Sequence, residues 1–434
     1  MQNIKNGEKI ILIFFIFLIF ISYVVGFIFS ENSAGGAIVD FENVKRNILA
    51  FKNNSFFDAI KLTATNDSQV YQSTRAPGFY VFNKYLNPFT DNIRLFQGYI
   101  TIFSLLVPLL LFLSLKIKFK GVNTYLLVFT SLLILLSPYF RSSAFWGIEE
   151  NFGIVMVGFS ALFYQLYKST KSKYIELIYL VLLALFSSLC VYSDQKLIII
   201  PFISLVAIVF EKGKIYKKLF IIFLYIVFSI PFIYLIMLWG NIAPTGDGTS
   251  RNINILSLNL NYHHIGYSFS IMSFYLMPFI FLLKDKEKKL FDFFKSKENY
   301  LFILCFIVYL IYFLFFYNLS SFFYLGGGVL QKVTKILFDS LLAQKIVLSF
   351  IFLFSWILVL FFSEKKFFNF LILAIFPLLS IFISPALFQE YFDPLIYFLI
   401  LIYLKKDYDF NFKSCVYIFS YFTLFLATAI IYYK

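Results

Sequence analysis

The chain has 434 residues, of which 61% are hydrophobic, 22% aromatic and only 14% charged. Soluble globular chains carry roughly 25% charged residues, so this composition excludes a water-soluble domain and calls for a bilayer. The net charge of +14 is spread through short loops between apolar runs; that pattern suits membrane orientation rather than a nucleic-acid groove, and no nucleic-acid partner is expected.

A helix needs about 20 mostly apolar residues to cross a bilayer. In chain order, spans are predicted near 10–29, 98–115, 122–140, 152–167, 174–192, 197–210, 216–239, 265–283, 300–317, 345–362, 367–383, 391–404 and 415–433. The fold class is therefore an all-α polytopic bundle of about thirteen spans, one transmembrane domain over 1–434. The first run is read as an uncleaved span rather than a signal peptide, because it is long and lacks a clean cleavage pattern. Cys190, Cys305 and Cys415 stand far apart without CxxC or Cys/His spacing. That argues against a disulfide framework or a zinc site, and no metal ligands are assigned.

Lysines mark alternate loops: Lys116/Lys118/Lys120, Lys168/Lys171/Lys173, Lys212/Lys214/Lys217/Lys218, six between Lys284 and Lys297, Lys365/Lys366, and Lys405/Lys406/Lys413. With Lys5 and Lys9 they place the N terminus in the cytoplasm and the C terminus outside. The Phe, Ile, Lys and Asn bias resembles that of AT-rich bacterial genomes, which points to a bacterial inner membrane. The longest outer loop is 30–97. Within it, Phe41, Val44, Ile48 and Phe51 recur at helical spacing over 41–59, which predicts an amphipathic helix on the membrane surface. A second short helix is predicted over 79–86.

Polar residues gather in five clusters, all on outer loops by this topology. Asp40 and Glu42 follow the small-residue run 33–37; they suit a general base at the mouth of a bundle, or a solvated pair at a helix start. Arg75 sits before Pro77-Gly78 and suits a bidentate phosphate contact, or an incidental turn. Arg141, Glu149, Glu150 and Asn151 surround Trp146, itself suited to anchoring at the interface. Asp194, Gln195 and Lys196 have almost no loop around them, so Asp194 and Lys196 can pair with each other or meet a phosphate. Glu390 and Tyr391 open the twelfth predicted span. Each cluster alone is weak; together they describe an outward-facing polar cavity, whereas the inner loops hold mostly Lys. The neighbours His263 and His264 cannot both face one metal from a helix, and Gly326–Gly328 reads as a flexible loop.

This arrangement resembles the GT-C class of membrane glycosyltransferases, through its long first outer loop, Asp40 after the first span and the helical segment 41–59. It is more closely similar to the dolichyl-phosphate-glucose alpha-1,2-glucosyltransferase family. Asp40/Glu42 stand for that family's acidic pair, and Thr74, Pro77, Gly78 and Tyr80 for its Thr-x-x-Pro-Gly-x-Tyr-like element. Glu390, Tyr391 and Pro394 echo a late Glu-x-Arg-Tyr-x-x-x-Pro-like element without its Arg.

The resemblance implies an inverting transfer from a polyprenyl-phosphate-linked sugar to a glycan or glycolipid acceptor on the periplasmic or extracellular face. In it Asp40 is the general base, with Glu42 beside it, and Arg75, Arg141 and Lys196 hold the leaving phosphate. Glu149, Glu150, Asn151, Asp194, Gln195, Glu390 and Tyr391 contact sugar or acceptor. Membrane lipid and the lipid-linked donor are the expected partners, no cofactor is called for with certainty, and a divalent metal is left open. The alternatives are a surface-polysaccharide polymerase or ligase, for which Arg75 and Arg141 leave room, or a lipid-linked oligosaccharide flippase. Charge-poor spans and the lack of a visible repeat speak against transport.

Overall fold

The computed structural model describes residues 4–65, 71, 73, 75–211, 214–244, 260–317, 326–382 and 387–433. Thr74, Lys212 and most of the outer loop 241–264 lie outside the described residues. Among the described residues the chain is helical, with one isolated bridge between Leu283 and Tyr408. As far as they are described, twelve of the thirteen predicted segments lie on helices, and 391–404 does not. Only eight helices among the described residues are long and apolar enough to cross a membrane, nine if one bent pair counts as a span. These make the chain an integral membrane protein. The segments 195–209 and 367–382 are shorter apolar helices, and 391–404 is broken into short turns.

The chain divides into two compact units, residues 1–255 with 419–434, and 256–418. The first unit begins with α1 (Asn6–Ile28) and the surface helices α2 (Ala37–Asn53), α3 (Phe56–Leu62) and α4 (Gly78–Leu86). Next come α5 (Ile93–Ser104), α6 (Leu106–Lys118), α7 (Thr124–Leu132), α8 (Pro138–Trp146) and α9 (Glu150–Ser169). Helices α10 (Lys173–Ser193), α11 (Ile199–Val209) and α12 (Ile215–Trp239) complete it before the chain leaves. Helix α12 shows why a bilayer is required: Leu219, Phe223, Ile226, Ile230, Ile233 and Met237 form an exposed stripe. In a helix whose backbone bonds are all internal, such a stripe is stable against lipid tails.

The second unit holds α13 (His264–Phe279), α14 (Lys286–Lys295), α15 (Lys297–Phe316), α16 (Gly328–Leu337), α17 (Leu341–Ser363), α18 (Phe367–Leu379) and α19 (Leu395–Phe398). After α19 the backbone widens into a π turn over Leu399–Tyr403, every residue of which is buried. The twelfth predicted span is thus an irregular core segment, whose apolar run reflects burial in protein. The last helix, α20 (Phe412–Tyr432), returns to the first unit from Phe419, which stacks on Phe15 at 4.7 Å.

Two predicted features change on folding. The stripe Phe41, Val44, Ile48 and Phe51 is buried, but in protein: Phe41 meets Phe96 and Trp146, and Phe51 meets Tyr71 and Tyr80. The predicted membrane-surface helix therefore turns its apolar stripe to the bundle, and α2 ends at Asn53, before Ser55 caps α3 by accepting from the Asp58 amide. The third predicted span is bent by 70° between Leu136 and Pro138. Ser137 accepts from the Phe140 amide at 3.0 Å and Pro138 occupies the first helical position, a combination that starts a new helix instead of continuing the old one.

The bend aims Arg141 at α1. Its Nε and Nη2 donate to the two Glu31 carboxylate oxygens at 2.8 and 2.6 Å, and its other bonds reach Ser22 and the Leu135 carbonyl. A side chain at Gly26 would start 2.5 Å from Arg141 Nη2 and 2.7 Å from Phe145 Cε2. Gly26→Ala is therefore expected to cost about 1–3 kcal/mol, read as a lower unfolding midpoint of the detergent-purified protein; an unchanged midpoint would mean that the guanidinium can move aside freely.

Candidate functional site

Three segments of the first unit converge on Arg75. The residues before α4 bring Tyr71, Ser73 and Arg75, the start of α9 brings Glu149 and Glu150, and the end of α10 brings Asp194. Gly78 makes the approach possible, since a Cβ there would lie 2.4 Å from the Tyr192 carbonyl oxygen. Only glycine lets the α4 start press against the end of α10. Gln195 ties the same junction by accepting from the Ala76 amide at 3.2 Å.

The guanidinium of Arg75 meets Glu150 at 2.5 Å, and Glu149 and Asp194 at 3.5 Å each. Lys196 adds a second cation, 3.1 Å from Asp194, whose other oxygen accepts from the Lys196 amide. Ser73 donates to Glu149 at 3.2 Å and accepts from the Arg75 amide, while Tyr71 donates to the Arg75 carbonyl. Ser143 donates to Glu150. The three carboxylates are mostly buried, with side-chain exposures of 9, 17 and 10% for Glu149, Glu150 and Asp194.

The two adjacent glutamates are driven apart electrostatically. Burial pushes Glu149 up, Arg75 opposes it without reversing it, and the Glu150 charge adds to the rise. Burial also acts on Glu150, but the charge and hydrogen bond of Arg75, with Lys196 behind, pull it below its ordinary value. Glu149 thus binds a proton more readily than its neighbour Glu150, which stays ionised beside Arg75. Glu149 Oε2 is buried without a hydrogen-bond partner among the described residues. Arg75 itself stays charged, since burial works against the cation but Glu150, Glu149 and Asp194 more than compensate.

The other predicted residues go elsewhere. Asp40 is exposed in the first turn of α2, and Glu42 pairs with Lys45 on the same exposed surface at 2.7 Å. Arg141 is fully buried with its donors taken up by Glu31, Ser22 and Leu135, so the phosphate contact expected of it does not fit. Asn151 is fully buried and donates to Ser104 and the Phe140 carbonyl, which locks α9 to α5 and α8 rather than offering an amide to a sugar.

Glu390 and Tyr391 belong to the second unit, half-buried in a short turn beside Gln389. There Gln389 donates to the Tyr275 hydroxyl at 2.9 Å, and Tyr275 to Asp393 at 2.7 Å. His263 stacks on Tyr317 and is pushed down to about 3 by burial and by His264. Gly328, expected in a flexible loop, opens α16.

No protein-family model matches the sequence, and no curated protein or solved structure matches it. Among the described residues no group of three or more His, Cys, Asp or Glu side chains is placed to hold a metal ion. Sequence reasoning passed over Glu31, which follows the first span more closely than Asp40 and is the acid that Arg141 requires; a buried Arg predicted near an apolar bundle is itself a signal to look for one. Ser73 and Tyr71, which orient Glu149 and Arg75, carried no signal beyond being polar residues near a Pro-Gly turn.

The raised Glu149 has a measurable consequence. A carboxyl whose folded pKa lies above its unfolded value near 4.5 stabilises the fold below that value and loses this contribution as pH rises through the folded pKa. Glu149→Gln removes the term, so the variant's unfolding midpoint is expected to match or exceed the wild type at pH 8, the difference shrinking toward pH 5. A deficit for the variant that grows with pH would refute the assignment.

Proposed function

We propose that this protein is a membrane glycosyltransferase of the GT-C kind, moving a sugar from a polyprenyl-phosphate donor to a glycan or glycolipid acceptor. It sits in a bacterial inner membrane with its N terminus in the cytoplasm and the Arg75 cluster on the opposite face. In this reading the two shorter apolar helices and the bent pair bring the spans to about eleven. The observation that carries the proposal is the buried meeting of Arg75 and Lys196 with Glu149, Glu150 and Asp194. It unites three of the five polar clusters, and it supplies both a proton acceptor and cations in one place.

Glu149 replaces Asp40 as the proposed base, because it is buried, has an oxygen without a partner among the described residues and, when ionised, binds a proton more strongly than an exposed carboxylate. Burial raises its proton affinity above that of an exposed carboxylate, which favours proton transfer to it. The acceptor hydroxyl gives its proton to Glu149 as its oxygen attacks the anomeric carbon. The bond from that carbon to the phosphate oxygen breaks on the opposite face, which inverts the configuration and leaves polyprenyl phosphate. The charge gained by the leaving phosphate is stabilised by Lys196, whose side chain is a quarter exposed, with Arg75 behind it. Glu150 and Asp194 keep Arg75 in place.

The test is transfer by the purified protein in lipid discs, using radiolabelled polyprenyl-phosphate sugars and an extract of lipid-linked glycans. Glu149→Gln is expected to lower turnover by about 100-fold or more, and Asp40→Asn by no more than about 3-fold. Loss of transfer in Asp40→Asn with activity kept in Glu149→Gln would return the base to α2. Failure of the wild type with every such donor would overturn the reading.

A further inference from the structure

At one end of the second unit, a cavity of about 270 Å³ opens between α14, α15 and the end of α17. It is lined by Lys289, Asp292, Phe293, Asn299, Glu364 and Lys365, with Leu360 and Phe361 at its wall. That volume is close to the lower end for small-ligand sites, about 300 Å³.

The charges around it are lopsided. A single carboxylate, Glu364, is approached by Lys289 at 2.8 Å, Lys406 at 3.2 Å and Lys366 at 3.4 Å. Lys406 has no side-chain exposure. Burial pushes it down to about 8, and the neighbouring Lys289 and Lys366 add to that although Glu364 resists. Glu364 itself stays low, because the hydrogen bond and charge of Lys289, with Lys406, outweigh its burial. One anion is thus shared by three cations, while Lys365 pairs with the exposed Glu298 at 3.1 Å.

The backbone at this point is also unusual. Glu364 and Lys365 both take the left-handed conformation, with φ of 50° and 57°. Two consecutive residues with side chains in that region are costly, and such strain gathers where a ligand is clamped. Beside the cavity, α14 is amphipathic. Phe293 is buried against Phe361, whereas Leu290, Phe291 and Phe294 are exposed at 48, 60 and 48% next to Lys286, Lys288 and Lys295. A short helix with exposed aromatics and lysines, joining two candidate spans, has the make-up of an interfacial helix on an anionic leaflet.

We propose that this cavity is a headgroup site for an anionic phospholipid. Its phosphate is taken by Lys289 and Lys365, and its acyl chains run past Leu290, Phe291 and Phe294 of α14. The phosphate gives Lys289 and Lys365 a second anion beside Glu364 and Glu298. The lipid class follows from charge: Lys289, Lys365, Lys366 and Lys406 outnumber Asp292, Glu298 and Glu364 around the cavity, and a zwitterionic headgroup would bring a further cation. By the distribution of lysines this end faces the cytoplasm, where the anionic lipids of the leaflet draw juxtamembrane lysines. The site is separate from the Arg75 cluster and stands whether or not the chain transfers sugar.

The test uses the delipidated full chain in detergent. Phosphatidylglycerol is expected to raise the unfolding midpoint by about 4 °C or more, with phosphatidylcholine and inorganic phosphate each producing less than a quarter of that. Native mass spectrometry should show one retained phosphatidylglycerol. Lys289→Gln should abolish both effects. Lys365→Gln, at a half-exposed lysine unable to disturb folding much, should weaken retention about tenfold. Lys413→Gln, at the same end but away from the cavity, should leave both unchanged. Equal stabilisation by phosphatidylcholine would overturn the proposal, as would equal stabilisation by phosphate, which would make this a free-anion site. Unchanged retention in Lys365→Gln, or an equal loss in Lys413→Gln, would also overturn it.

Discussion

Arg75 cannot shed its proton, so in a chain this poor in charge its guanidinium must bring counter-charges with it. Three carboxylates from two other segments meet it, and this requirement sets the local architecture. The α9 start must present Glu149 and Glu150 side by side, α10 must stop at Asp194, and the α4 start must lie against both. Removing Arg75 itself would leave buried carboxylates without their cation, a change of about 3–5 kcal/mol. The cluster therefore holds the three segments together.

The same principle recurs twice, with different outcomes. Around Arg141, one acid and a set of backbone and hydroxyl acceptors balance the cation completely. Nothing is left for a ligand, and the pair acts as a clasp between α1 and α8. Around Glu364 the balance runs the other way, with lysines in excess. A buried charge is thus a strut when it is satisfied and a site when it is not. Position in the sequence does not distinguish the two, because the partners arrive from segments far apart.

Glycines decide how closely those segments meet. Gly78 and Gly26 each sit where a Cβ would overlap a neighbour, the Tyr192 carbonyl in one case and the Arg141 guanidinium in the other. The Pro77-Gly78 turn was readable as a turn. Its purpose, contact with the end of α10, was not, because nothing in the local residues names what lies opposite. Asp40 illustrates the converse: an acid after a span is an obvious candidate, yet α2 turns Phe41, Val44, Ile48 and Phe51 inward and leaves Asp40 on the outer surface.

What the sequence by itself determined is the solvent and the secondary structure. Apolar runs of spanning length, lysines in alternate loops and the 3.6-residue period of 41–51 are local properties, and a bilayer forces such runs to be helical. It also yielded the residues of the Arg75 cluster, since polar groups in a chain so apolar are few. Tertiary structure alone decided which of them meet, that Arg141 and Asn151 are structural, and that the apolar segment 391–404 is irregular protein core. The physical reason is that periodicity records which residues avoid water, but not whether lipid or protein replaces it, and pairing of buried charges is settled only when distant helix ends are packed together.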